Sequence, residues 1–392
     1  MFRKSLFVGA VGALALTLAT PTSAPAHGGG SPTVSDPIVE GLAGPLQIDV
    51  AKHGTIYVTQ SFAATLTKVN RDGTTEDLLT EPGGEARDVS GPAAGRYGSV
   101  AFASTLFDPA AREAFIKVRK SDGTVKTVAD LWAYESRKNP DARNTYGFLD
   151  LTDECAAEVD AIEWPEGEEG PTGSPYTGIV DSHPYALAND GDGGWYVADA
   201  GINAILQVTK RGKISTVAVL PPQPTEVTAE AATNMGLPEC TVGSTYAFEP
   251  VPTDVEVAKG GKLIVSLLPG GPEDPSLGAR GAVYQVKAGS GGHHHGYGRH
   301  GSHGSRGKVK LLAGGFLGAT NVAIGDRGEI YVAELFGGKV SVLKYGHVST
   351  LAELTNPAGV EYKDGKVYVS YDVFANGSIA SIKVRKRHHG HH

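Results

Sequence analysis

Ile56-Tyr57-Val58-Thr59, Trp195-Tyr196-Val197-Ala198, Ile330-Tyr331-Val332-Ala333 and Val367-Tyr368-Val369-Ser370 are four copies of one strand-sized pattern. Each is followed by a second apolar strand. A unit this short cannot bury its apolar face alone, so repeats of it stack on one another into a continuous core. Four antiparallel strands per unit is the plan of a β-propeller blade. The expected fold class is all-β, a six-bladed β-propeller.

Working outward from these runs completes six blades. Residues 99–104 and 263–266 supply the two missing second strands. Third strands, alternating apolar and polar residues as half-buried strands do, are predicted over 66–69, 115–118, 205–208, 283–286, 340–343 and 379–382. Asn70-Arg71-Asp72-Gly73, Lys120-Ser121-Asp122-Gly123 and Lys210-Arg211-Gly212 follow three of them as tight turns in which Gly takes a positive φ. Outer strands are expected over 75–79, 125–129, 214–218, 309–313 and 348–352. The sixth is missing after Ile382, so residues 34–39 at the other end are predicted to close the last blade and remove an open edge. Pro45, Pro184, Pro252 and Pro357 lead into inner strands containing Ile48, Leu187, Val255 and Val360, with Ala319 in the same place before Val322. The inner strand of the second blade, the least regular, is placed at 85–90.

Composition agrees with many short strands, since 53 Gly and 23 Pro stand among 392 residues. Residues 1–26 have the form of an export signal: Arg3 and Lys4, an apolar stretch from Leu6 to Leu18, and Ala24-Pro25-Ala26 as the cleavage site. The stretch is shorter than the roughly 20 residues a bilayer-crossing helix needs. The mature chain is expected to begin at His27, to be secreted and extracellular, and to be a monomer with no transmembrane segment. The propeller is assigned to 27–386 and a His-rich tail to 387–392. A formal charge of −8 makes nucleic acid and anionic lipid poor partners. Three insertions interrupt the rhythm, at 131–182, 221–251 and 288–307. The first two both join an outer strand to the next inner strand, which puts them side by side on one face. Each holds one of the two cysteines, Cys155 and Cys240, and an exported chain with two cysteines points to one disulfide between them.

Asp130-Leu131 with Tyr134-Glu135 and Asn139-Pro140, then Asp181-Ser182-His183-Pro184-Tyr185 and Tyr196-Val197-Ala198-Asp199-Ala200-Gly201 with Asn203-Ala204, resemble the secreted ScyD/ScyE family. The resemblance spans nearly the whole mature chain and implies a six-bladed, NHL-like propeller. It implies no catalytic set. The usual pattern has Asn where His183 stands.

The natural site of a propeller is its axial mouth, where inner strands begin, and the corresponding positions are Gln47, Ala186, Asp254, Asn321 and Gly359. Gln47, Asp254 and Asn321, with His183 nearby, form the candidate ligand-binding ring. Lactonase-type propellers hold a divalent cation there with oxygen donors, but their Asn-Gly is replaced by Leu46-Gln47, Tyr185-Ala186, Thr253-Asp254, Thr320-Asn321 and Ala358-Gly359. A metal-dependent lactonase- or esterase-like hydrolase is the rival reading to a binding or scaffold protein. Asp199, with Asn203 after it, has the form of a turn cap. Glu334 shares its column. His183 beside Asp181 resembles an acid–base pair without a nucleophile.

His293, His294, His295, His300 and His303, with His388, His389, His391 and His392, lie in Gly/Arg-rich tracts suited to Zn²⁺, Ni²⁺ or Cu²⁺. They have no fixed structural spacing. Asp153, Glu154, Glu158, Asp160, Glu163, Glu166, Glu168 and Glu169 crowd around Cys155 without a calcium-loop motif. Trp132, Tyr134, Tyr146, Phe148, Trp164 and Tyr176 in the same insertion are expected either to form an exposed platform for a small molecule, glycan or peptide, or to be the insertion's own small core. The divalent cations to test are Ca²⁺ and Zn²⁺.

Overall fold

The computed structural model describes residues 32–165, 170–287 and 307–384. The export signal, the histidine tracts and Glu166, Glu168 and Glu169 lie outside them.

Seven four-stranded antiparallel sheets make up the described residues, and six follow one plan. Their inner strands are Pro45–Val50, Arg87–Ala94, Pro184–Asn189, Pro252–Ala258, Ala319–Ile324 and Val360–Lys363. From each the chain runs outward through hairpins. In the first sheet these strands are Ile56–Gln60, Thr65–Val69 and Thr75–Thr80. Each inner strand packs on the next, and the sixth packs back on the first, so the six sheets close into a circle.

The alternating pattern explains the circle. Apolar residues of each sheet face those of its neighbour, and six separate clusters fill the six gaps. Ile116, Leu131, Val197 and Leu206 pack between the second and third sheets, Val255, Val265 and Ile205 between the third and fourth. The turns match their expected chemistry: Gly73, Gly123 and Gly212 have φ of 83°, 87° and 81°. Asp72 and Asp122 each accept the backbone N–H two residues on, at 3.1 and 2.9 Å.

Two predicted boundaries move. The second inner strand is Arg87–Ala94 rather than 85–90, because Gly84–Ala86 forms a 3₁₀ turn and a bulge between Ser90 and Ala93 lengthens the strand. The closing strand is Val39–Leu42 rather than 34–39; before it Val34 makes only an isolated bridge to Ile382. It pairs with Gly377–Lys383 as the outermost strand of the sixth sheet, Val39 opposite Ile379 and Leu42 opposite Gly377. Val39 and Leu42 are buried against Ile48, Val50 and Ile379. Deleting residues up to Leu42 is expected to cost roughly 3–6 kcal/mol from these two side chains alone and to bare a strand edge that seeks partners. Size-exclusion chromatography of the truncated chain should show aggregates; an unchanged elution volume and an unchanged Tm would contradict the closure.

The seventh sheet is built from the first two insertions. Its order is Tyr176–Thr177, Thr145–Phe148, Thr245–Phe248, Gln223–Glu226, so each insertion supplies two neighbouring strands and the two central ones pair with each other, Gly147 opposite Ala247 and Phe148 opposite Tyr246. Helices Leu131–Lys138, Asp153–Asp160 and Ala229–Asn234 begin with Asp130, Thr152 and Thr228 accepting a first-turn N–H, the usual device for an unpaired helix start. Cys155 and Cys240 are bonded, with Cα atoms 5.8 Å apart. Phe148, Val159, Val227, Met235, Tyr246 and Phe248 form its own core. The exposed-aromatic reading is therefore corrected: Tyr146 and Phe148 are buried, and Trp132, Tyr134, Trp164 and Tyr176 are half-buried. A structure outside the main ring needs an apolar centre of its own, to which Phe148 contributes, whereas Trp132 and Tyr134 pack against the cluster between the second and third sheets.

Candidate functional site at the axial mouth

Four inner strands carry a bulge at the same place, between Pro45 and Gln47, Pro184 and Ala186, Pro252 and Asp254, and Ala319 and Asn321. A bulge re-aims side chains at a rim. Here Gln47, Asp254 and Asn321 are all buried, at 2, 5 and 3% exposure. They do come together, and they are spent on one another and on the main chain. Gln47 spans the axis, donating to the Thr253 carbonyl at 3.1 Å while its Oε1 accepts from Asn321 Nδ2 at 2.7 Å. Asn321 Oδ1 accepts the N–H of Val360 at 2.8 Å. Both Asp254 oxygens accept backbone N–H groups, from Val255 and Val322, each at 2.8 Å. Each of these two side chains thus ties its own sheet to the next. The set does not fit a divalent cation, which would have to compete with main-chain donors for the same oxygens. Among the described residues no group of three His, Cys, Asp or Glu is arranged to hold a metal ion.

Below this layer lie carboxylates that sequence reasoning missed. Asp49, Glu256 and Glu361 stand two residues beyond Gln47, Asp254 and Gly359, the strand period that returns a side chain to the same face. Burial pushes Asp254 up to about 7, and raises Asp49. Glu256 and Glu361 are held well above the carboxylate range, first by burial and then by neighbouring negative charge, and they hydrogen-bond to each other. Two carboxyls so bonded must share a proton.

Toward the insertion-bearing side the mouth has a different wall. His183 Nε2 lies 2.9 Å from Asp88 Oδ2. Asp88 rather than Asp181 is thus the partner of His183; Asp181 turns away to pair with Arg112. The order Asp-Ser-His made the two look coupled, but the chain bends so that Asp181 faces the second sheet's outer loop. Arg112 is layered over Phe107 and Trp132, with 5.2 and 5.3 Å to the ring centroids. Phe107 and Tyr185 meet the His183 ring edge-on, at 4.9 and 5.5 Å. Burial, then the charges of Asp88, Asp254 and Glu273, raise the Tyr185 hydroxyl far above its ordinary range, and its side chain reaches Gln47.

The remaining polar residues are scaffolding. Asp199 accepts the N–H groups of His183, Gly201 and Ile202 at 2.8, 3.0 and 3.1 Å and the Ser182 hydroxyl at 2.7 Å, the turn cap expected of it. Glu334 does similar work, accepting from Leu317 N–H at 2.9 Å and from the Ser341 hydroxyl at 2.5 Å. Asn203, at a left-handed φ of 57°, donates to Asp141 at 2.8 Å and Glu249 at 2.9 Å, one carboxylate from each insertion. Tyr146 and Tyr176 donate to the same two carboxylates. Tyr134 bonds Thr216 at 2.9 Å and Asn139 donates to the Gly178 carbonyl at 2.9 Å. Thus several residues that carried the family resemblance are those that fix the seventh sheet onto the third.

No family model matches the chain, and no curated protein matches it. Solved structures do. The PQQ-bound aldose sugar dehydrogenase from Streptomyces coelicolor is 14% identical, over 91% of this chain and 98% of that one, with a TM-score of 0.54. The fold shared with it is the β-propeller. A virginiamycin B lyase from Staphylococcus aureus (14%, 87% and 95% covered, TM-score 0.45) and a gluconolactonase from Xanthomonas campestris (13%, 92% and 89% covered, TM-score 0.41) are further neighbours. At these identities the likeness concerns fold alone.

Proposed function

We propose that this chain is a secreted six-bladed propeller of the ScyD/ScyE type that binds an extracellular ligand on its insertion-bearing face. The observation that carries the reading is the welding of two insertions, by paired central strands, a disulfide and Asn203, into one fixed platform beside the axial mouth. Binding residues commonly stand on loops that a rigid scaffold positions. Six circular sheets, the last closed by the N-terminal strand, support the blade count. Ligand classes to test are small molecules, glycans and peptides.

A lactonase- or esterase-like hydrolase is the second reading, favoured by the His183–Asp88 pair, in which a carboxylate orients an imidazole. The engaged oxygens of Asp254 and Asn321 weigh against its metal-dependent form. Glycan and peptide arrays, probed with the mature protein alongside lactone and ester panels, separate the two. Array binding with no turnover is expected; hydrolysis abolished by His183→Ala, without array binding, would overturn the binding reading. Metal handling by the histidine tracts is a separate proposal: Zn²⁺ or Cu²⁺ binding should vanish on deleting 293–303 and 388–392.

A further inference from the structure

Charge is divided unevenly between the two ends of the ring. Because the strands are antiparallel, the turns joining inner to second and third to outer strands all lie at the end opposite the mouth. Taking the strand residues that begin or finish there with the described turn residues between them, this end holds 17 Lys and Arg against seven Asp and Glu. The two insertions, at the mouth end, hold three Lys and Arg against 16 Asp and Glu. A formal charge of −8 thus conceals two faces of opposite sign.

The acidic groups of the basic end are largely occupied within it. Asp72, Asp122 and Asp190 accept N–H groups of their own turns, Asp326 accepts the Tyr362 hydroxyl at 2.7 Å, and Glu329 pairs with Lys344 at 3.0 Å. The cations point outward. Lys52, Arg96, Lys210, Arg211, Lys262 and Lys366 are exposed, and among the described residues none of them forms an ion pair. Two tyrosines stand among these cations. Tyr97, next to Arg96, and Tyr345, next to Lys344, are 93 and 87% exposed, more than any other large apolar side chain among the described residues. Both sit at hairpin tips with left-handed φ of 57° and 51°, where a tyrosine is strained and a glycine is not. Neither is buried, so folding gains little from them.

We infer that the end opposite the mouth docks on an anionic phospholipid surface, with its Lys and Arg at the headgroups and Tyr97 and Tyr345 in the interface. Basic side chains feel such a surface over about a Debye length, roughly 8 Å at physiological salt. A strand's length, about 17–20 Å, separates the acidic insertions from this end. Local charge therefore decides, and the expectation from net charge that anionic lipid is a poor partner holds only for charge spread evenly. Tyrosine favours the membrane boundary, with its ring in the apolar side and its hydroxyl in the wet one. A soluble polyanion would use the cations and leave the tyrosines idle. The chain also leaves the described residues at this end, after Lys287 and Val384, and continues into tracts that add Arg299, Arg306, Arg385, Lys386 and Arg387 with no acidic residue. Docked in this way, the insertion-bearing face points to solvent.

The test is co-sedimentation of the full mature chain with vesicles of phosphatidylcholine alone and of phosphatidylcholine with an equal part of phosphatidylglycerol, at low and high salt. Calorimetric titration with inorganic polyphosphate runs beside it. Binding is expected only to the vesicles that hold phosphatidylglycerol, and it should weaken as salt rises. Lys210→Gln with Arg211→Gln should reduce it roughly twentyfold, at about fivefold per charge. Tyr97→Gly with Tyr345→Gly should reduce it about tenfold and leave Tm in place, since glycine takes these φ angles without strain. No binding to phosphatidylglycerol, equal binding to both vesicles, or unchanged affinity in either double variant would overturn the inference. Polyphosphate binding without vesicle binding would overturn it as well, in favour of a soluble polyanion.

Discussion

Replacing Cys155 and Cys240 together by serine is expected to split thermal unfolding into two steps, with the insertion platform melting first. The bridge joins residues 85 apart, and closing a loop of that size removes about 4–5 kcal/mol of chain entropy from the unfolded ensemble in the entropic account. Little else offsets its loss. The platform's core is small, centred on Phe148, Tyr246, Phe248 and Met235, and it lies outside the circle of sheets. Asn203, Asp141 and Glu249 remain as ties to the third sheet, so the platform loosens without the ring opening. Differential scanning calorimetry with and without reductant reads this directly. Hydrogen exchange should then report early exposure of Thr145–Phe148 and Thr245–Phe248 while Pro184–Asn189 stays protected. One transition at an unchanged temperature would mean that the bridge is ornamental to a platform held by packing alone. Because the same face carries the proposed ligand site, any ligand found on the arrays should bind less well to the double-serine protein.

Acidification from pH 8 to pH 5 is expected to stabilise the ring through its axial carboxyls. Asp254, Asp49, Glu256 and Glu361 all have folded-state values raised above those of the unfolded chain. For a raised carboxyl the folded protein holds the proton more tightly. Its contribution is therefore complete below the ordinary carboxylate range near pH 4 and is lost as pH climbs through the folded value. For Asp254 that value is about 7, and a shift of this size corresponds to roughly 4 kcal/mol. Lys363 near Asp49 is a cation opposing the repulsion. Glu361→Gln isolates the pair, because an amide donates to Glu256 at any pH without a shared proton. Its Tm at pH 8 should exceed that of the parent by a few degrees, about 2–4 °C per kcal/mol for domains of somewhat smaller size, and its pH profile should be flatter. Parallel profiles for the two proteins would show that the pair does not couple to stability.

Much of the architecture was legible in the residues. The recurring Tyr-Val run, the Asp-Gly turns and the apolar alternation located the second, third and outer strands of each sheet to within a few residues, because strand period and turn chemistry are local. The missing last outer strand pointed to the N-terminus for the same reason. The platform was legible only in part. Cysteine count and the shared face of the two insertions point to the bridge, but the sheet they form together depends on pairing across 100 residues of chain.

The candidate site was harder. Gln47, Asp254 and Asn321 were found by their register in the repeat, yet register says where a side chain begins and not what it meets. Asp49, Glu256 and Glu361 are marked in the residues by the same register, two positions further along the same strands. Proximity in sequence couples His183 to Asp181, while Asp88, 95 residues away, is its partner in space. Phe62 and Phe336 share a place in the repeat, two residues after Gln60 and Glu334, but only closure of the circle brings the first and sixth sheets together so that Phe62 stacks on Phe374.

The all-β repeat, its turns, the closing strand at the N-terminus and the one disulfide all follow from local backbone preference or from counting residues. Which polar groups bond the main chain, and which carboxyls come close enough to hold a proton between them, follow only from how remote sheets meet. These depend on sheets remote in the chain coming within a few ångströms of one another, and at that range burial and hydrogen bonding outweigh any preference a residue has on its own.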